Sequence, residues 1–121
     1  MVEIIKPGAY YYYAMHGGSD NYEKFSVYDT WDESTETGTL ADLTGVTAKA
    51  EFRDDDGVSV FEATVTVDVP NSTIEIEPTA TLCTTHADKD GNSWGVQFVW
   101  STGLKTIEMY GGWEISKVVV D

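Results

Sequence analysis

Cys83 is the chain's one cysteine and has no partner for an internal disulfide. A small secreted module stapled by disulfides is therefore excluded. No apolar run approaches the roughly 20 residues that cross a bilayer as a helix. Lysine and arginine total seven against 21 aspartates and glutamates, a net charge of −14. A surface so poor in positive charge repels phosphate backbones and anionic headgroups, so neither nucleic acid nor membrane is an expected partner. The opening residues, Met1-Val2-Glu3-Ile4-Ile5-Lys6-Pro7, lack the basic and apolar regions of a signal peptide. That predicts synthesis in the cytoplasm and leaves room for later assembly into a particle that leaves the cell. The histidines are two, His16 and His86, and neither stands in a zinc-binding spacing. No segment sustains a 3.6-residue apolar period, so little or no helix is expected.

A period of two dominates instead. Val46, Ala48, Ala50 and Phe52 share one face of a strand over residues 46–53, with Thr47, Lys49, Glu51 and Arg53 opposite. Asp54-Asp55-Asp56-Gly57 is a hairpin turn signal. Phe61, Ala63, Val65, Val67 and Val69 then alternate with Glu62, Thr64, Thr66 and Asp68. Pro70-Asn71-Ser72 turns the chain into a strand over residues 73–77, with Ile74 and Ile76 inward. Residues 79–87 mix β-favouring threonines with Ala80, Leu82 and Cys83, and read as a crossover. Trp94, Val96, Phe98 and Trp100 share a face, and Ser101-Thr102-Gly103 is a further turn. Residues 104–110, Gly111-Gly112 and residues 113–120 read as a C-terminal hairpin.

Residues 1–39 are less regular. Strand candidates at 10–15 and 22–31 flank a Gly-rich connection, and residues 32–39 read as a polar loop. The whole, residues 1–121, is expected to be one domain. About eight short strands at a spacing of roughly 8–12 residues predict an all-β antiparallel sandwich or barrel.

Candidate chemistry is sparse. The stretch "HADKDGNSWGVQ", His86 to Gln97, has the outline of a calcium loop. An EF-hand needs oxygen ligands at positions one, three and five, glycine at six and a bidentate glutamate at twelve. Aligned on Gly91, Asp88 and Asp90 fit, but His86 and Gln97 stand where the anchors belong. Residues 86–92 therefore read as an acidic inter-strand loop, with positive φ at Asp90-Gly91 or Asn92. The aspartates at 54–56 read as a solvated hairpin tip rather than a weak cation site. Cys83 and His86 carry no surrounding nucleophile motif, which favours a structural cysteine. Glu62, Glu75 and Glu77 face outward on neighbouring strands, and a glycosidase pair would need a cleft and one raised pKa. No catalytic residue, metal or cofactor is expected.

The aromatic residues are more informative. Tyr10-Tyr11-Tyr12-Tyr13 on a strand must alternate, so two rings point away from the core. Exposed tyrosines bring large contact area at low entropy cost. Either a partner protein or a strand or loop of the same domain covers the outward pair. Trp94, Trp100 and Trp113 are expected in the core, whereas Trp31, beside the acidic loop, is the best candidate for an exposed tryptophan.

The second half of the chain carries a resemblance. Asp42-Leu43-Thr44-Gly45 leads into a strand ending at Arg53. An Asp-Gly turn, a valine-rich strand and "STIEIEPTATL" follow, and the chain closes on "GVQFVWSTGLKTIEMYGGWEISKVVVD". Over residues 40–121 this resembles small tail-module proteins of tailed phages, in particular the N-terminal domain of the baseplate upper protein family. The matching positions are Asp42 to Gly45, Arg53, Gly103 and Gly112. The resemblance implies an immunoglobulin-like β-sandwich of about seven to nine strands acting as a non-enzymatic virion adaptor in the tail or baseplate. Its partners would be other virion proteins, with self-association as an option, and Tyr10, Tyr11, Tyr12, Tyr13 and Trp31 are the candidate contacts. A capsid decoration protein and a carbohydrate-binding module are the alternative expectations. The tyrosine run has no counterpart in the family pattern.

Overall fold

Alternating apolar and polar side chains become strands when every second residue finds a common core. A computed structural model describes residues 2–5 and 8–117. In chain order the elements are β1 (Val2–Ile5), β2 (Ala9–Tyr10), β3 (Tyr13–His16), β4 (Glu23–Asp32), β5 (Thr37–Leu40), β6 (Thr47–Arg53), β7 (Ser59–Asp68), β8 (Thr73–Glu77), α1 (Ala80–Thr85), β9 (Lys89–Val99) and β10 (Lys105–Ser116). Hydrogen-bonded neighbours run β1-β4-β8-β7-β6-β9-β10-β2, with β3 also on β10 and β5 on β4.

The sheet curls on itself. Phe25 and Val27 of β4 and Ile74 and Ile76 of β8 join the same buried core as Phe52 of β6 and Trp94, Val96 and Phe98 of β9. The strand β7 spans both halves: Phe61 and Ala63 lie opposite Phe52 and Ala50 of β6, whereas Thr64 to Asp68 pair with β8. At the centre Phe52 stacks on Phe61 at 4.4 Å and on Trp94 at 5.5 Å, with Trp113 edge-on at 5.7 Å. Each such pair adds about 0.5–1.5 kcal/mol beyond the area it buries.

The turns use the residues expected of them. Gly57 takes φ +79 in the β6–β7 hairpin, where the Asp54 carboxylate accepts from the backbone of Asp56 and Val58, both at 2.9 Å. Gly103 takes φ +89 between β9 and β10, a conformation that costs glycine little. Thr79 caps α1 by accepting from the Leu82 amide.

Several expectations are corrected. Residues 104–120 do not form a hairpin: β10 runs unbroken from Lys105 to Ser116, and Val118 to Val120 lie outside the described residues. The ladder slips at Gly111-Gly112 without a turn: Gly111 and Trp113 both stay paired with β9, whose Asn92 and Ser93 together stand against the single Gly112. Part of the 32–39 loop is strand β5, folded back on β4. The 79–87 crossover is as expected: it holds the short helix α1 and links β8 to β9, which are not neighbours in the sheet. The sheet is not wholly antiparallel, since β1 runs parallel to β4, and β2 and β3 run parallel to β10. With these short N-terminal strands the described total is ten.

The β9–β10 ladder contains a paired device. Trp94 lies opposite Gly111, and Trp113 opposite Gly91. The Trp94 indole donates to the Tyr11 carbonyl at 2.6 Å, and the Trp113 indole to the Arg53 carbonyl at 2.7 Å. A Cβ on Gly91 would lie 1.9 Å from the Arg53 oxygen and 2.5 Å from the Trp113 indole nitrogen. A Cβ on Gly111 would lie 2.1 Å from the Tyr11 oxygen. Each glycine thus lets a neighbouring strand and a tryptophan close over it, and each buried N–H finds its acceptor there.

Candidate functional site

The tyrosine run divides as its alternation requires. Tyr10 is 64% exposed, and its ring meets Tyr110 edge-on at 5.6 Å. Tyr12 is exposed and donates to the Glu114 carboxylate at 3.1 Å. Tyr11 is half-buried, wedged between Tyr13, Phe25 and Trp94 at 5.2–6.1 Å. Tyr13 is 1% exposed and so leaves the set of partner contacts. Its ring packs against Phe52 and Trp94, because β3 pairs with β10 and turns that residue inward. Trp31 is half-buried rather than exposed, packed edge-on against Tyr28 at 5.0 Å in the β4–β5 hairpin. Trp94 and Trp113 are core residues, whereas Trp100 is half-buried and donates to the Thr106 hydroxyl at 2.8 Å.

The buried Tyr13 phenol donates to the Asn21 carbonyl at 2.6 Å. Burial raises its pKa well above the ordinary tyrosine value, with the charge of Glu23 adding a smaller push. The unfolded chain therefore loses this proton more easily than the native one. The resulting stability is intact below about pH 10 and falls as pH rises above it. We expect urea midpoints to drop steeply between about pH 10 and 11 in the native sequence and less steeply in Tyr13→Phe. Equal slopes in the two proteins would contradict this origin.

The outer face of β6, β9 and β10 carries a groove of about 400 Å³, open on one side. Cross-strand pairing shows how it forms. Tyr10, Tyr110, Gly95 and Glu51 follow one another across β2, β10, β9 and β6. Adjacent strands stand about 4.8 Å apart, so the missing side chain at Gly95 leaves a gap of about 10 Å between Tyr110 and Glu51. The next row is Ile107, Gln97 and Lys49. A Cβ there would also sit 3.1 Å from the Met109 carbonyl, a closer approach than most side chains make.

Ile107, Tyr110 and Gly95 were not among the expected site residues. For Ile107 the sequence signal is hidden by the register shift between Ile107 and Met109. Counting back by twos from buried Trp113 would place Ile107 inside. The extra residue, Glu108, is buried next to buried Met109, and so Ile107 turns outward, 53% exposed.

The acidic and nucleophilic candidates are placed as follows. The strand β9 starts at Lys89, so Asp90 pairs with Glu114 inside the sheet, and the positive φ belongs to Asp88. Cys83 is buried, accepts from the Asn21 amide at 3.2 Å, and has its thiol pKa pushed up by that burial. The His86 ring stacks on Phe61 at 5.0 Å, and its Nδ1 has no hydrogen-bond partner among the described residues. Burial, helped by Lys89, holds His86 below the ordinary histidine value. Glu62 is exposed and paired with Lys49 at 3.2 Å, and Glu77 accepts from the Thr66 hydroxyl at 3.0 Å. Among the described residues no three histidine, cysteine, aspartate or glutamate side chains converge as a metal site. The sequence matches no protein-family model, and no curated protein is similar to it.

Proposed function

We propose that this chain is a non-enzymatic structural module of a tailed-phage particle, an immunoglobulin-like β-sandwich that joins neighbouring subunits in the tail or baseplate. One observation carries the reading. At the end of the sheet formed by β2, β3 and β10, Tyr10, Tyr12 and Tyr110 stand exposed on an otherwise strongly acidic domain. Rings held at a sheet edge suit protein contact, because they are already ordered and lose little entropy on docking.

The strand order supports the sandwich. The strands β1, β4 and β8 lie at one end of the order and β6, β9, β10 and the β2–β3 segment at the other, joined through β7, which pairs with both β8 and β6. An immunoglobulin-like domain also keeps its last two strands together in one of its two packed sheets, as β9 and β10 are paired here. The parallel pairing of β1 with β4 departs from an all-antiparallel domain. The positions that carry the family resemblance have structural roles in keeping with it. Asp42 accepts from the Thr44 amide and hydroxyl, Leu43 is fully buried, and Gly45 takes φ +74. The Arg53 carbonyl receives the Trp113 indole, and Gly112 lies beneath the Tyr12 ring, opposite the two-residue bulge of β9.

Immunogold electron microscopy of intact particles, with antibody raised against the chain, tests the assignment. Label at the tail or baseplate is expected. Label over the capsid would move the chain to the decoration role. Complete particles that carry no label would sink the virion reading.

A further inference from the structure

The groove over Gly95 adjoins the tyrosine edge and shares Tyr110 with it, and we propose that it binds a neutral saccharide. Its charged groups are already compensated. Lys49 is paired with Glu62, and Arg53 with Glu51, with the Arg53 guanidinium also reaching the Gly57 carbonyl at 3.3 Å. An anionic ligand would have to displace those carboxylates against a net charge of −14. A cationic ligand would find Glu51 already engaged.

What the groove offers freely is neutral. The Gln97 amide and the Ser93 hydroxyl have no side-chain hydrogen-bond partner among the described residues. Tyr110 and Ile107 supply an apolar wall, and Tyr10 braces the Tyr110 ring from behind at 5.6 Å. Pyranose rings pair an apolar C–H face with a rim of hydroxyls. The first suits the Tyr110 ring, and the second suits an amide, a hydroxyl and the outer edges of the Glu51–Arg53 pair. A volume of about 400 Å³ lies within the range of small-molecule sites. The side walls stand on three paired strands, so the site is formed before any ligand arrives.

This inference does not depend on the virion assignment. A nitrogen-15 NMR titration tests it, with glucose, galactose, N-acetylglucosamine and their short oligomers as neutral probes. Sialic acid and a sulfated disaccharide serve as charged probes. At least one neutral probe is expected to shift the amides of Gly95, Gln97, Ile107 and Tyr110. Binding should weaken about tenfold in Tyr110→Ala, and also in Gln97→Ala, which keeps the aromatic edge intact. Both sites are on the sheet surface, and an unchanged amide spectrum outside the groove confirms that each variant is folded. Failure of every neutral probe overturns the proposal. So does binding confined to the charged probes, or shifts centred on Trp31 and the β4–β5 hairpin.

Discussion

Gly91→Ala is expected to destabilise the domain by about 3–5 kcal/mol, although it adds a single methyl group. The methyl carbon would fall 1.9 Å from the Arg53 carbonyl oxygen and 2.5 Å from the Trp113 indole nitrogen. The first of these is backbone inside a strand, which cannot rotate out of the way. To make room, β6 must move off β9, or the indole must leave its place. Either movement breaks the 2.7 Å bond from Trp113 to Arg53 and strands a buried N–H. Overpacking costs about 1–3 kcal/mol and an orphaned donor about 1–3 more. Small domains hold only about 5–15 kcal/mol in all, so melting should fall by roughly 10–20 °C. Circular dichroism melts and urea titrations measure it. A change below about 1 kcal/mol would mean that the strands part easily at this point.

Trp113→Ala is expected to cost about 3–5 kcal/mol, and Trp113→Phe about 1–2. Trp113 is fully buried and touches both Phe52 and Phe61 edge-on. Alanine removes those contacts and opens a cavity between the halves of the curled sheet. Phenylalanine keeps most of the area but has no N–H for the Arg53 carbonyl, so the difference between the variants separates packing from the hydrogen bond. Gly91 and Trp113 share that carbonyl, so their effects should not add: the double variant Gly91→Ala, Trp113→Ala should cost clearly less than the sum. Strict additivity of the urea-derived free energies would show that the two residues act independently.

The strands of the second half are legible in the sequence because their signal is local. In β6, β8 and β9 the inward residues Ala50, Phe52, Ile74, Ile76, Trp94, Val96 and Phe98 are all buried. The valine stripe of β7 fades as the strand passes from one half of the sheet to the other, and Val69 at its end is exposed. The tyrosine run was half legible. Alternation assigns two rings outward, and Tyr10 and Tyr12 are the pair, but only the pairing of β3 with β10 places Tyr13 fully in the core. The reading of Trp31 as exposed failed because β5, which the polar composition of residues 32–39 conceals, folds beside it.

By itself the sequence determined the class of the fold and most of the core. These follow from side-chain period, which is a property of neighbouring residues. Tertiary structure decided which residues meet. The bulge at Glu108 turns Ile107 outward to the face of Tyr110, and register sets Gly95 between Tyr110 and Glu51 and each buried tryptophan over a glycine. Those pairings join distant positions, such as Arg53 and Trp113, sixty residues apart, and Tyr11 and Trp94, 83 apart. A one-residue slip between strands would send each of these side chains to the other face. The composition and spacing of the separate segments would stay unchanged, and for that reason the groove and the tryptophan–glycine pairs exist only in the folded chain.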